Sequence, residues 1–112
     1  MGTDLGATRR HLLSLAVQED KRFIDDPNDW RPYEVNNPRE PGEQFNHDTA
    51  WALIVELLSC EHPIRERPQN QPPGAVAYEM IICLEGGWDV YIKIRAGKRG
   101  RIFGRSFHYA EG

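Results

Sequence analysis

The stretch "DVYIKIRAGKRGRIFGRSFH", residues 89–108, gathers a tyrosine, a serine, a histidine and six cations. Alternation in "DVYIKIR" sends Val90, Ile92 and Ile94 to one face of a strand and Tyr91, Lys93 and Arg95 to the other. Such groups have the chemistry to cleave a phosphodiester without a metal. A base must take the proton of a ribose 2′-hydroxyl, a cation must hold the charge that builds on the phosphate, and an acid must protonate the leaving 5′-oxygen. Tyr91 and His108 are the candidates for the proton roles, since an imidazole with an ordinary pKa of ~6.5 suits either. Lys93 is the candidate for charge stabilisation. Arg95, Lys98, Arg99, Arg101, Arg105 and Ser106 are candidates for holding a nucleic-acid backbone, with Tyr91 available for stacking against a base.

The same pattern supports plainer readings. An antiparallel sheet with one wet face places Lys, Arg and Tyr outward, and edge strands use cations against aggregation. A non-catalytic module that binds nucleic acid or a partner protein through the basic hairpin is the second functional reading. A third rests on charge: the net charge is −3, yet residues 86–112 carry +4 and the other 85 carry −7. That acidic remainder is itself a candidate surface for a basic partner.

Register sharpens the candidate site. If "GKRG" is a four-residue loop, Ala96 pairs with Arg101. Tyr91 then lies opposite Ser106, Lys93 opposite Gly104 and Asp89 opposite His108. Phe103 and Phe107 join Val90, Ile92 and Ile94 on the apolar face, and a loop one residue longer or shorter breaks that agreement.

"VYIKI", a short basic turn and "GRSFH" resemble the C-terminal hairpin of MqsR-type toxins, in the wider RelE-like group of toxin–antitoxin ribonucleases. The resemblance covers about residues 88–109. The tyrosine of the family's "VYLKI" falls on Tyr91 and the lysine of its "SFK" on His108, where a titratable group replaces a fixed cation. The resemblance implies a small, cytoplasmic, metal-independent endoribonuclease that acts on messenger RNA, with or without the ribosome, and is silenced by a cognate antitoxin.

The elements that must position these groups follow from periodicity. "ATRRHLLSLAVQEDKRFI" predicts an amphipathic helix capped by Asp4 or Thr8, with Leu12, Leu13, Ala16, Val17, Phe23 and Ile24 inward. A long loop with four prolines follows at about 25–45, pinned by Trp30 and Tyr33. "NHDTAWALIVELLSC" predicts a second helix capped by Asn46 or Asp48, burying Ala50, Trp51, Ile54, Val55 and Leu58. After a second proline-rich connection, "EHPIRERPQNQPPG", the period becomes two. "AVAYEMIICL" is apolar on both faces and so predicts a covered central strand, with "EGGW" as its hairpin turn. The expectation is one α+β domain spanning 1–112, with two N-terminal helices on one face of a C-terminal antiparallel sheet of at least three strands, RelE-like in arrangement.

No cofactor is expected, since no glycine-rich phosphate loop joins a strand to a helix. Cys60 and Cys83 lie in apolar runs and read as buried thiols. Cys60, His62 and His47 lack the spacing of a metal site. No apolar run is long enough to span a membrane, and the charged N-terminal stretch does not read as a signal peptide; the expected location is the cytoplasm.

Overall fold

The computed structural model describes residues 5–25, 27–68, 76–84 and 88–110. The architecture is α+β, with two α-helices and a five-stranded mixed sheet of order β1-β5-β4-β3-β2. In chain order these are α1 (Leu5–Ala16), β1 (Arg22–Ile24), α2 (His47–Ser59), β2 (Arg65–Pro68), β3 (Val76–Cys83), β4 (Asp89–Ala96) and β5 (Ile102–Tyr109).

The second helix forms where local signals agree. Asn46 accepts from the Thr49 amide and Thr49 Oγ1 accepts from the Asn46 amide, both at 2.8 Å. This reciprocal capping box satisfies two amides that the first turn leaves unpaired. The helix then buries Ala50, Trp51, Leu53, Ile54, Leu57 and Leu58. They share one apolar cluster with Leu12, Leu15 and Ala16 of α1 and with Val90, Ile92, Ile94, Ile102 and Phe107 of the sheet. Burying a side chain of this size stabilises the fold by roughly 1.5–3 kcal/mol.

The first helix is shorter than its sequence pattern predicts. It ends at Ala16, and Phe23 and Ile24 stand instead on β1, which pairs in parallel with β5. Both are exposed, and β1 makes the sheet mixed rather than antiparallel throughout. Thr8 lies inside α1 and does not cap it, while Asp4 lies outside the described residues. The 25–45 loop is tied to β5 by a bridge from Trp30 to Phe107 and closed on itself by one from Asn36 to Gln44. Trp30 is buried at 4% exposure whereas Tyr33 is 61% exposed, so of these two aromatics the tryptophan is the one that anchors the loop.

Other expectations change with the sheet order. Part of the second proline-rich connection is the edge strand β2, and its last six residues, 69–74, lie outside the described residues. The same holds for 85–87 of the expected "EGGW" turn. β3 is not covered on both faces, because Ile81 is 51% exposed. Cys60 and Cys83 are exposed rather than buried.

The β4–β5 register is the most consequential correction. Ala96 pairs with Ile102, so the loop is one residue longer than expected. Alone, that shift would turn Phe107 to the wrong face. A bulge repairs it: Ile94 pairs with Gly104 and Lys93 with Ser106, leaving Arg105 as the extra residue. Tyr91 therefore faces His108 rather than Ser106. Phe103 pairs with Arg95 and stacks against its guanidinium at 4.2 Å instead of entering the core. Gly104 takes the core position, where an added Cβ would come within 2.5 Å of the Trp30 ring.

Candidate nucleic-acid interface

Tyr91 and His108 are directly opposed on β4 and β5, with ring centroids 5.4 Å apart. They border a cleft of about 420 Å³ lined by Asp29, Arg31, Ile81, Tyr91, His108 and Ala110. The Nδ1 of His108 lies 2.9 Å from the Tyr109 carbonyl oxygen. A carbonyl can only accept, so Nδ1 carries a hydrogen and Nε2 is the atom free to exchange a proton. Asp29 Oδ2 stands 3.9 Å from that Nε2 and also accepts from Ser106 Oγ at 2.9 Å.

Tyr91 is not poised as a phenolate. Its hydroxyl donates to Glu79 Oε2 at 2.6 Å. Burial first, and then the Glu79 hydrogen bond and charge, push its pKa well above the ordinary 10.0. Glu79 is a 5%-exposed carboxylate on β3, facing Arg65 at 3.8 Å and Arg67 at 3.3 Å on the neighbouring edge strand. Lys93 pairs with Glu79 in register, and its Nζ lies 5.7 Å from the Tyr91 ring centroid. Tyr91, Lys93, Glu79 and His108 thus form one cluster.

The remaining candidates are not part of it. Arg95 donates to Asp25 Oδ2 at 2.6 Å and Arg105 donates to the same oxygen at 2.7 Å. These two guanidiniums hold the Asp25 carboxyl below its ordinary range against the opposing effect of burial. Ser106 is fully buried and cannot meet a ligand as expected. Lys98, Arg99 and Arg101 occupy the far turn, roughly 20 Å along the strand from Tyr91 at ~3.3 Å per residue. Arg101 there lies over the Phe23 ring at 5.1 Å.

Sequence reasoning overlooked Glu79, Asp29 and Arg31. Glu79 had left a signal, as a lone carboxylate inside an apolar strand. Asp29 and Arg31 sit in an aperiodic loop and reach the cleft only because the Arg31 amide donates to the Phe107 carbonyl and the Phe107 amide to that of Asp29.

No protein-family model matches this chain, and no curated protein or solved structure shows significant similarity to it. Among the described residues no three His, Cys, Asp or Glu side chains are grouped to hold a metal, and no helix is long and apolar enough to cross a membrane.

Proposed function

We propose that the chain is a metal-independent endoribonuclease of the toxin–antitoxin type, working from the sheet face that carries Tyr91 and His108. In this reading both helices cover the opposite face, in a RelE-like arrangement. The substrate is messenger RNA in the cytoplasm, and a cognate antitoxin is the partner. The observation that carries the reading is the direct pairing of Tyr91 with His108 over an accessible cleft, with Glu79 behind the tyrosine. The similarity of "VYIKI" and "GRSFH" to MqsR-type hairpins adds to it.

The geometry suits a relay. Because the Tyr91 hydroxyl donates to Glu79, its oxygen retains lone pairs that can accept a proton. The 2′-hydroxyl proton passes to the Tyr91 oxygen as the tyrosine's own proton passes to the Glu79 carboxylate. The 2′-oxygen attacks phosphorus and the bond from phosphorus to the 5′-oxygen breaks. Protonated His108 then gives its Nε2 proton to the leaving 5′-oxygen, so the products are a 2′,3′-cyclic phosphate and a 5′-hydroxyl. Lys93 and Arg31 supply positive charge as the phosphate gains negative charge. A raised Tyr91 pKa fits this role, since the phenol must enter the step protonated.

The test is cleavage of an end-labelled oligoribonucleotide in EDTA, comparing wild type with Tyr91→Phe and His108→Ala. Cleavage by the wild type to cyclic-phosphate ends, lost in both folded variants, supports the reading. Equal cleavage by all three proteins rejects the site.

One observation favours the second reading, a non-catalytic binding module. Asp25 neutralises part of the hairpin charge, which suits selective binding to a partner more than a general grip on RNA. Binding that persists in His108→Ala without any cleavage by the wild type would select it.

A further inference from the structure

The Arg95–Asp25–Arg105 cluster lies apart from the proton-transfer cluster and is left unused by the relay. Arg95 meets Asp25 through two bonds, Nε to Oδ2 at 2.6 Å and Nη2 to Oδ1 at 3.3 Å. This is the fork that guanidinium presents equally well to a carboxylate or a phosphate. Arg105 adds a third bond at 2.7 Å. Among the described residues, two guanidiniums here face one carboxylate, which leaves an excess of positive charge. Both are held ready: Arg95 lies over the Phe103 ring at 4.2 Å, and Arg105 is aimed there by the β5 bulge. Bulges recur next to functional sites because they redirect a side chain without ending the strand.

We propose that Arg95 and Arg105 form a phosphate-binding site whose resident occupant is the Asp25 carboxylate. The ligand is a phosphodiester of single-stranded RNA, an assignment that rests on the nucleic-acid reading above. The Asp25 side chain is 18% exposed, and the ligand enters as that side chain swings out. The Asp25 amide donates to the Gly104 carbonyl at 2.9 Å, so the backbone stays anchored while the side chain rotates away. Asp25 is therefore an internal competitor that weakens RNA binding at this end of the sheet and lets only a correctly placed phosphate displace it.

Inorganic phosphate and a single-stranded oligonucleotide serve as probes on the full chain, comparing wild type, Asp25→Asn and the control Glu43→Gln. The control makes the same change in net charge at an exposed loop position. Removing the competing charge is expected to tighten oligonucleotide binding about tenfold. The slope of log affinity against log salt should steepen by about 0.7 for each additional phosphate neutralised. Glu43→Gln should show neither change. In NMR spectra the Arg95 and Arg105 Nε–Hε signals of the wild type should move on adding phosphate, and those of Asp25→Asn at lower concentration.

Affinity of Asp25→Asn no better than that of Glu43→Gln would overturn the proposal. If Asp25→Asn does not fold, the wild-type spectra decide: unmoved Arg95 and Arg105 signals sink it, and moved ones sustain it. Failure of the cleavage reading looks different. A gain in Asp25→Asn binding without cleavage by any variant removes the nuclease and keeps the phosphate site.

Discussion

At the turn end of the β4–β5 hairpin, Arg95 and Arg105 close on Asp25 at 2.6 and 2.7 Å. Two residue pairs away on the same sheet face, Tyr91 and His108 border a cleft of about 420 Å³. Both ends are built from polar side chains that alternate outward along the same strands. They differ in what the loop between β1 and α2 delivers to them. Asp25 takes up the charge at one end through direct ion pairs, whereas Asp29 stands 3.9 Å from His108 Nε2 and leaves that atom able to exchange a proton. A count of cations in the hairpin therefore overstates its available field.

The two ends of the face should separate most clearly at the cleft. On the proposed nuclease reading, His108→Ala should lower cleavage by roughly 10²–10⁴-fold, the usual share of one positioned acid or base. Its thermal unfolding should fall only modestly, because the ring sits at the cleft edge, where it packs against Tyr91 and hydrogen-bonds the neighbouring Tyr109 carbonyl. Arg101→Gln at the far turn should leave turnover at saturating RNA unchanged. Comparable losses of turnover in both variants would mean that the two ends act as one site.

Gly104→Ala tests the support beneath both ends. The new methyl would meet Trp30 ring carbons at 2.5–2.8 Å, in a position that a loop tryptophan fills completely. Overpacking of this kind costs roughly 1–3 kcal/mol, read from the urea midpoint. Asp25 and Asp29 both precede that tryptophan on the same loop, so the variant should also disturb the Arg95 ion pair. An unchanged midpoint would show that Trp30 does not hold the loop to β5.

Glu79→Gln sharpens the distinction at the cleft itself. Glu79 supplies two of the causes that raise the Tyr91 pKa, the hydrogen bond and the charge, while burial supplies the largest. The variant should bring the phenol titration, followed by ultraviolet absorbance, down toward 10.0 without reaching it. A titration unmoved by the change would leave burial and the Asp29 charge as the causes and remove Glu79 from the proposed relay.

What could be read from sequence follows the range of the interactions involved. The α2 cap was legible because Asn46 and Thr49 are neighbours in the chain, and β3, β4 and β5 because eight residues each display alternation. β1 and β2 have three and four residues, too few for a period to show. Alternation placed Tyr91, Lys93 and His108 on one face, but not in the register that the strands adopt. The bulge at Arg105 restores the face of Phe107 after a longer loop, and a pattern search sees only the restored face. The partners that decide the electrostatics were out of reach for another reason. Asp25 meets Arg95 and Arg105 across 70 and 80 positions, and nothing local in "DDPND" marks which cation it will find.

The smallest expected effect isolates the Asp25 end by pH. The two guanidiniums keep Asp25 charged to lower pH in the folded chain than in the unfolded one, whose ordinary value is 3.8. Folding thus favours release of that proton, so the contribution is whole above the ordinary value and is lost as pH falls through the lower folded one. Urea midpoints of the wild type should decline below about pH 4, as linkage requires, and Asp25→Asn should show a shallower decline. The His108 cleft contributes nothing to that difference, because Asn at position 25 leaves Asp29 and Ser106 in place. Parallel declines in the two proteins would mean that the Arg95–Asp25–Arg105 cluster does not discriminate between folded and unfolded protonation. The contrast between the two ends of the face would then rest on geometry alone.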